Sequence, residues 1–268
     1  MNQNSFRNQW NEQGFIVIPQ LLEASEVRKL QRICDRIFQD WLQESSTPEQ
    51  AANFTNLAFL TEPRYFIHHP EELPVLLNAI ANPKILDILN QIVDEDLLFY
   101  NTQYFFNPAN HTRAGDWHRD QQFDAPDEDT EKVRMKQSIG IHVHIALIPD
   151  SNLEYIPGSH QRWDTPQERE IRKGLNGKKP NSPAMPNATR IHLNSGDAVF
   201  FDAWGIHRGN YIADVPRRTF DIIYGTLADW CSPPPTCFLQ PNILQELTPE
   251  SQNLFKGLIN ILSALNPN

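Results

Sequence analysis

Asp116-Trp-His-Arg-Asp120 is the stretch on which the reading of this chain turns. His118 and Asp120 stand at i and i+2, so on a strand an imidazole and a carboxylate share one face. A mixed nitrogen and oxygen pair suits divalent iron, which needs one more imidazole to close one face of an octahedron and leave the other open. His207, inside Trp204-Gly-Ile-His-Arg-Gly-Asn210, is the candidate third ligand. Eleven residues later Arg218 opens a strand-like run, Arg218-Thr-Phe-Asp-Ile-Ile-Tyr224. Its guanidinium is suited to fork onto a carboxylate. Arg217 is the competing residue: alternation puts the two arginines on opposite faces, and Pro216 before them leaves the register open.

In this order the residues resemble the iron(II)/2-oxoglutarate dioxygenases of the phytanoyl-CoA dioxygenase type. Ile156-Pro-Gly-Ser-His160 is similar to that family's Pro-Gly-Ser-His turn, and Ser195-Gly-Asp-Ala-Val-Phe-Phe-Asp202 to the Gly-Asp strand before the distal histidine. Gly14-Phe-Ile-Val-Ile-Pro-Gln-Leu-Leu22 resembles its opening strand, so the likeness runs over about residues 14–227. The resemblance implies that His118, Asp120 and His207 are the catalytic, iron(II)-holding residues. It favours Arg218 for the distal carboxylate of 2-oxoglutarate and implies dioxygen as co-reactant, with ascorbate helpful in vitro. Gln103 and Asn107 lie on a strand that supplies polar contacts to the cosubstrate in the family; the lysine common near position 107 is absent here. His144 stands where a Trp often faces the cosubstrate. The implied chemistry couples decarboxylation of 2-oxoglutarate, to succinate and carbon dioxide, with oxidation of a second substrate. Halogenating members carry Ala or Gly where this chain keeps Asp120. That implies hydroxylation, oxidative C–N cleavage or desaturation rather than halogen transfer.

Composition excludes some partners. Twenty-three basic against thirty-three acidic residues leave a net charge of −10, and the pI is near 5.3. This argues against nucleic acid or an anionic membrane surface as the main partner. No apolar run approaches the ~20 residues of a membrane span, and the polar N-terminus does not read as a signal peptide. Cys34, Cys231 and Cys237 have no evident pairing, which fits a cytoplasmic chain with free thiols. The expected partner is a small-molecule substrate, on a monomer or homodimer.

The 268 residues read as one domain, with no internal repeat and no Gly/Ser-rich linker. Ser5 is the expected cap of a short helix ending at Gly14, and Ser25 of a longer one reaching about Leu42. In the latter, Val27, Leu30, Ile33, Cys34, Ile37, Phe38 and Trp41 recur at helical spacing. Asn82-Pro83 and Thr248-Pro249 open two more. Between the helical ends, residues 97–106, 138–147, 190–193, 198–202 and 218–227 are rich in β-branched and aromatic side chains. The fold class is therefore mainly β with flanking helices. The resemblance sharpens the core, about 97–227, to a double-stranded β-helix, the cupin-like jelly roll.

Other polar residues have plainer readings. His142-x-His144 on an apolar strand suggests a cupin metal site, but Ile148 and Pro149 stand where a cupin supplies its Glu, so neither is taken as a ligand. His144 then either faces the cosubstrate or is a core histidine bonded to a carbonyl. His160 reads as structural and is left out of the metal, as are His111 and His192, which lack spaced partners; His68-His69, before Pro70, reads as a surface loop. The acidic run at 124–131 reads as a solvated loop, with a lid that favours a cationic or zwitterionic substrate as the alternative, and 175–187 as a second loop. The leading expectation is an oxygenase acting on an amino acid derivative or a specialised metabolite, since no basic cluster suits the phosphates of an acyl-CoA. The rival is a non-catalytic jelly roll that binds metal or a small molecule. It fits poorly, because structural metals prefer closed coordination.

Overall fold

The computed structural model describes residues 3–45 and 53–265. Among these residues ten strands form two antiparallel sheets. The larger contains β1 (Phe15–Ile18), β2 (Asn56–Ala58), β3 (Leu98–Phe105), β5 (Gly140–Ala146), β8 (Ala198–Asp202) and β10 (Thr219–Gly225), in the order β1-β8-β5-β10-β3-β2. The smaller contains β4 (Arg113–Ala114), β6 (Leu153–Tyr155), β7 (Thr189–Arg190) and β9 (His207–Tyr211), in the order β4-β9-β6-β7. The neighbours are distant in sequence, as in a jelly roll.

Helices cover the outer face of the larger sheet. They are α1 (Gln3–Gln13), α2 (Ala24–Ser45), α3 (Glu72–Ile80), α4 (Pro83–Ile92) and, near the C-terminus, α7 (Pro241–Glu246) and α8 (Pro249–Leu265). Two short ones, α5 (Glu128–Arg134) and α6 (Pro166–Arg172), lie between strands. The Asn82 side chain accepts from the Lys84 amide at 2.9 Å, the cap expected for α4. Ser5 and Ser25 are not caps. α1 and α2 begin at Gln3 and Ala24, so both serines lie inside the first turns. At α2 the Glu26 carboxylate instead accepts from the Glu23 amide, at 2.8 Å.

Strand alternation divides two cores and sets the place of the site. On β5, Ile141, Val143 and Ile145 join the cluster under the helices, as do Ala198 and Phe200 of β8 and Phe220, Ile222 and Tyr224 of β10. The opposite faces of the same strands look into the space between the sheets. Ala146, Val199 and Phe201 meet Leu153 and Tyr155 there. β5 is consequently buried along its whole length. Each large apolar side chain so buried contributes about 1.5–3 kcal/mol, and a polar one in such a strand needs a partner. The inward residues of β5 and β10 nonetheless include His142, His144 and Asp221, all buried. No helix among the described residues is long and apolar enough to cross a membrane.

Candidate metal centre and cosubstrate pocket

His118 and His207 face each other across an isolated bridge. Each amide donates to the other's carbonyl at 3.0 Å. The expectation of a strand through His118 and Asp120 is corrected here: the chain leaves the bridge at His118, and Asp120 begins a 3-10 turn, Asp120–Phe123. The Asp120 amide donates to the Ala203 carbonyl at 3.1 Å, which brings the carboxylate back under the two imidazoles. Asp120 Oδ1 lies 3.2 Å from His118 Nε2 and 3.3 Å from His207 Nε2. One ligand atom from each of the three residues lies within 4.8 Å of the other two.

The histidine tautomers suit metal binding. His118 Nδ1 lies 2.7 Å from the Asp116 carbonyl and His207 Nδ1 lies 2.9 Å from that of Gly205. A carbonyl only accepts, so each Nδ1 carries a proton, which reserves each Nε2, the nitrogen facing Asp120, for a metal. Burial holds the pKa of His207 below its ordinary value despite Asp120. Burial opposes ionisation of Asp120, but His207 and His142 hold its carboxyl well below the usual range. Tyr155 stacks on the His207 ring at 16° and 6.3 Å. Gly205 allows this approach: a Cβ there would stand 1.7 Å from the Tyr155 hydroxyl.

Arg119, between the two ligands, points the other way and is fully buried. It donates to Asp164 at 2.8 Å, to the Ser159 carbonyl at 2.9 Å and to the Trp204 carbonyl. Asp164 also accepts from Arg172 at 2.7 Å, and Arg172 donates to Glu131 at 2.7 Å and to Gln122. Lys173 completes the group, 2.9 Å from Glu131. The run at 124–131 is thus not a solvated loop throughout. Asp127 caps α5 through the Thr130 amide, and α5 is anchored at Glu131, which is 1% exposed. The second loop is tied to the site as well, since Trp117 donates to the carbonyls of Pro180 and Ser182.

The three ligands open onto a cavity of about 400 Å³ between the sheets. Gln103 and His144 line it; Asn107 does not, and its amide instead donates to the Val215 carbonyl at 2.9 Å. Arg218 is also misplaced by the sequence reading. It faces the helices and pairs with Asp35 of α2 at 2.8 Å, on the side of Phe220, Ile222 and Tyr224. Arg217 lines the cavity, 4% exposed, with Nε and Nη1 lacking a hydrogen-bond partner. Its Nε is 3.5 Å from Asp150, whose carboxyl is held low against the effect of burial by Arg217 and His144. His142 lies on the cavity wall between Asp120 and Asp221. Burial opposes its charge, but the two carboxylates, Asp221 foremost, push its pKa up to about 10. Asp221 and Asp150 escaped the sequence reading. Had Arg217 been taken as inward, alternation through Thr219 would have pointed to Asp221.

The phytanoyl-CoA dioxygenase (PhyH) family model matches residues 10–214. The chain belongs to the phytanoyl-CoA dioxygenase family. Iron and 2-oxoglutarate are the cofactor and cosubstrate of this family's enzymes. The family match stops short of both arginines, so the choice between them comes from the structure alone. EctD from S. alaskensis, solved with 2-oxoglutarate and 5-hydroxyectoine, has a TM-score of 0.61 at 17% identity, covering 84% of this chain and 76% of its own. SnoK, a non-haem α-ketoglutarate-dependent carbocyclase of nogalamycin biosynthesis, has a TM-score of 0.59 at 18% identity, covering 84% of each chain. SnoN, an epimerase of the same biosynthesis, has a TM-score of 0.55 at 16% identity, covering 83% of this chain and 81% of its own. These likenesses show the fold. No curated protein matches the chain in sequence.

The residues of this family member fit iron(II). Two imidazole nitrogens and one carboxylate oxygen converge, and the metal-ligand group found among the described residues has these three members. Such a set leaves the cavity side of the metal open.

Proposed function

We propose that the protein is an iron(II)/2-oxoglutarate-dependent oxygenase that hydroxylates a small molecule, such as an amino acid derivative or specialised metabolite. Oxidative C–N cleavage or desaturation would start from the same C–H bond. The observation that carries this reading is a three-residue donor set and a buried, underpartnered arginine lining one cavity. With its cosubstrate, the bound metal supplies dioxygen activation. The protein supplies placement and exclusion of water.

Arg217 would take the distal carboxylate of 2-oxoglutarate. A guanidinium in a low-dielectric wall is complementary to a carboxylate, and its two unpartnered nitrogens mark an incomplete set of contacts. His144 and Gln103 would add polar contacts on the same wall. Phe105, Leu153, Phe201 and Ile223 line the remainder and keep it dry. The substrate side is marked by Gln121 and by Phe123. The Phe123 ring lies 5.6 Å from that of His118 and is 71% exposed, although apolar. A cavity of about 400 Å³ that must also hold 2-oxoglutarate suits a small substrate better than an acyl-CoA. EctD holds a small hydroxylated molecule, 5-hydroxyectoine, which supports substrates of that size.

The test is succinate formation from 2-oxoglutarate with iron(II) and ascorbate, first alone and then across a panel of amino acid derivatives and specialised metabolites. The expected result is a slow background rate that one class of compound stimulates, with a product heavier by one oxygen atom. Iron binding with no turnover under any condition would favour the non-catalytic binding protein.

A further inference from the structure

An unbroken row of imidazoles and carboxylates runs along the cavity wall from the metal ligand Asp120 to Arg217. Asp120 Oδ2 stands 2.8 Å from His142 Nε2, and His142 Nδ1 lies 2.7 Å from Asp221 Oδ2. The other oxygen of Asp221 lies 3.2 Å from His144 Nδ1. His144 Nε2 lies 3.4 Å from Arg217 and 3.5 Å from Asp150, which itself stands 3.5 Å from Arg217 Nε. Sheet register explains the row. Asp221 is directly opposite His144 across the β10–β5 pair and one diagonal step from His142, which faces Ile223. Asp221 is fully buried, and it touches neither the three ligands nor the open cavity.

We propose that Asp221 is a positioning residue that orients two neighbours at once, holding His142 against the metal-binding carboxylate and His144 against the cosubstrate arginine. A carboxylate only accepts, so both Nδ1 atoms donate to it. Donation by His144 Nδ1 leaves Nε2 as an acceptor for an Arg217 N–H. Donation by His142 Nδ1 holds Nε2 in ion-pair contact with Asp120 Oδ2, at 2.8 Å but outside hydrogen-bond geometry, and leaves Oδ1 to the metal beside His118 and His207. Phe201 fixes the His142 ring from the side, stacked at 13° and 4.8 Å. The cosubstrate half of this inference rests on the reading of Arg217 above; the metal half does not.

The test uses Co(II) and Mn(II) as probes on the full chain without oxygen. Asp221→Asn keeps the size of the side chain but has one acceptor oxygen for two N–H donors. Metal affinity is expected to fall about tenfold or more, the typical range when the group behind a ligand is lost. The Co(II) absorption bands should shift with it, and 2-oxoglutarate should bind more weakly to the metal-loaded protein. His142→Gln should reproduce the loss of metal affinity, and the double variant should be no worse than His142→Gln, because Asp221 acts on the metal through His142. Arg217→Ala should weaken 2-oxoglutarate alone. If Arg217→Ala leaves 2-oxoglutarate binding unchanged, the reading of Arg217 falls while the metal half stands. Normal metal affinity and an unshifted Co(II) spectrum in folded Asp221→Asn overturn the proposal. If Asp221→Asn does not fold, normal values in His142→Gln overturn it equally.

Discussion

Arg217 and Arg218 are adjacent in the chain and point to opposite sides of the sheet. Arg217 is buried against His144 in the cavity, while Arg218 lies over α2 on Asp35. Arg217→Ala should therefore weaken 2-oxoglutarate binding by about 1.5–3 kcal/mol, roughly ten- to a hundredfold. Arg218→Ala should leave it unchanged and cost at most about 1 kcal/mol of stability, since its ion pair is one-third exposed. Calorimetry without oxygen on the Mn(II)-loaded protein checks both. A larger effect from Arg218 would place the wrong arginine in the pocket.

His118→Ala or His207→Ala should remove nearly all bound iron while the circular dichroism stays that of the folded chain. Each residue is one of three donors, and each also contributes backbone bonds that its alanine variant keeps. Metal analysis after dialysis reads the outcome. Full iron content in either variant would remove that residue from the centre.

Glu131→Gln should lower stability by about 3–5 kcal/mol, because it takes the partner of Lys173 and leaves Arg119 and Arg172 to share the single carboxylate of Asp164 in a buried cluster. Glu128→Gln, on the exposed Arg169 pair of the same helix, should cost no more than about 1 kcal/mol. Urea unfolding of the two variants compares them directly. Equal losses would mean that the buried cluster does not anchor α5.

His160 sets an acid-side limit. Burial first, then the nearby Arg119 cation, push its pKa down to about 4 from the ordinary 6.5. The unfolded chain therefore takes up a proton between these values that the fold refuses. The contribution is fully present above pH 6.5 and is lost as pH falls toward 4, by roughly 3 kcal/mol. Asp202, whose carboxyl burial raises to about 7, acts in the opposite direction over the same range. The informative quantity is thus the difference between His160→Gln and the unchanged protein. The variant should lose less stability between pH 7 and 4.5 in urea titrations; parallel curves would show that His160 does not titrate in the fold.

Asp120 should keep the reaction on oxygen. As a ligand the carboxylate would fill the third protein position and add negative charge, so chloride would have neither a vacancy nor an electrostatic reason to bind. Mass spectrometry of the product formed in chloride buffer should show added oxygen or lost hydrogen and no chlorine. A chlorinated product from the unchanged enzyme would take Asp120 out of the donor set.

The sequence by itself pointed to the three residues that the fold brings together as candidate ligands, and to the strand-rich middle with its flanking helices and the identity of the family. Those rest on short-range signals: apolar period, cap residues such as Asn82, and residue types whose chemistry is unmistakable in order. Tertiary structure decided the rest. Strand alternation tells which residues share a face, but not which face is inward. On β10 both faces are buried, one against helices and one against the cavity, so the apolar run Phe220, Ile222 and Tyr224 drew Arg218 to the wrong side. Asp221 gains its role from His142 and His144, at least 77 residues away in the chain, brought together by cross-strand register, and Asp150 meets the distant Arg217. Glu131 likewise reads as a solvated charge until Arg172 and Lys173 pair with it in the fold. A charge's meaning depends on its distance to other charges and to water, and folding sets both.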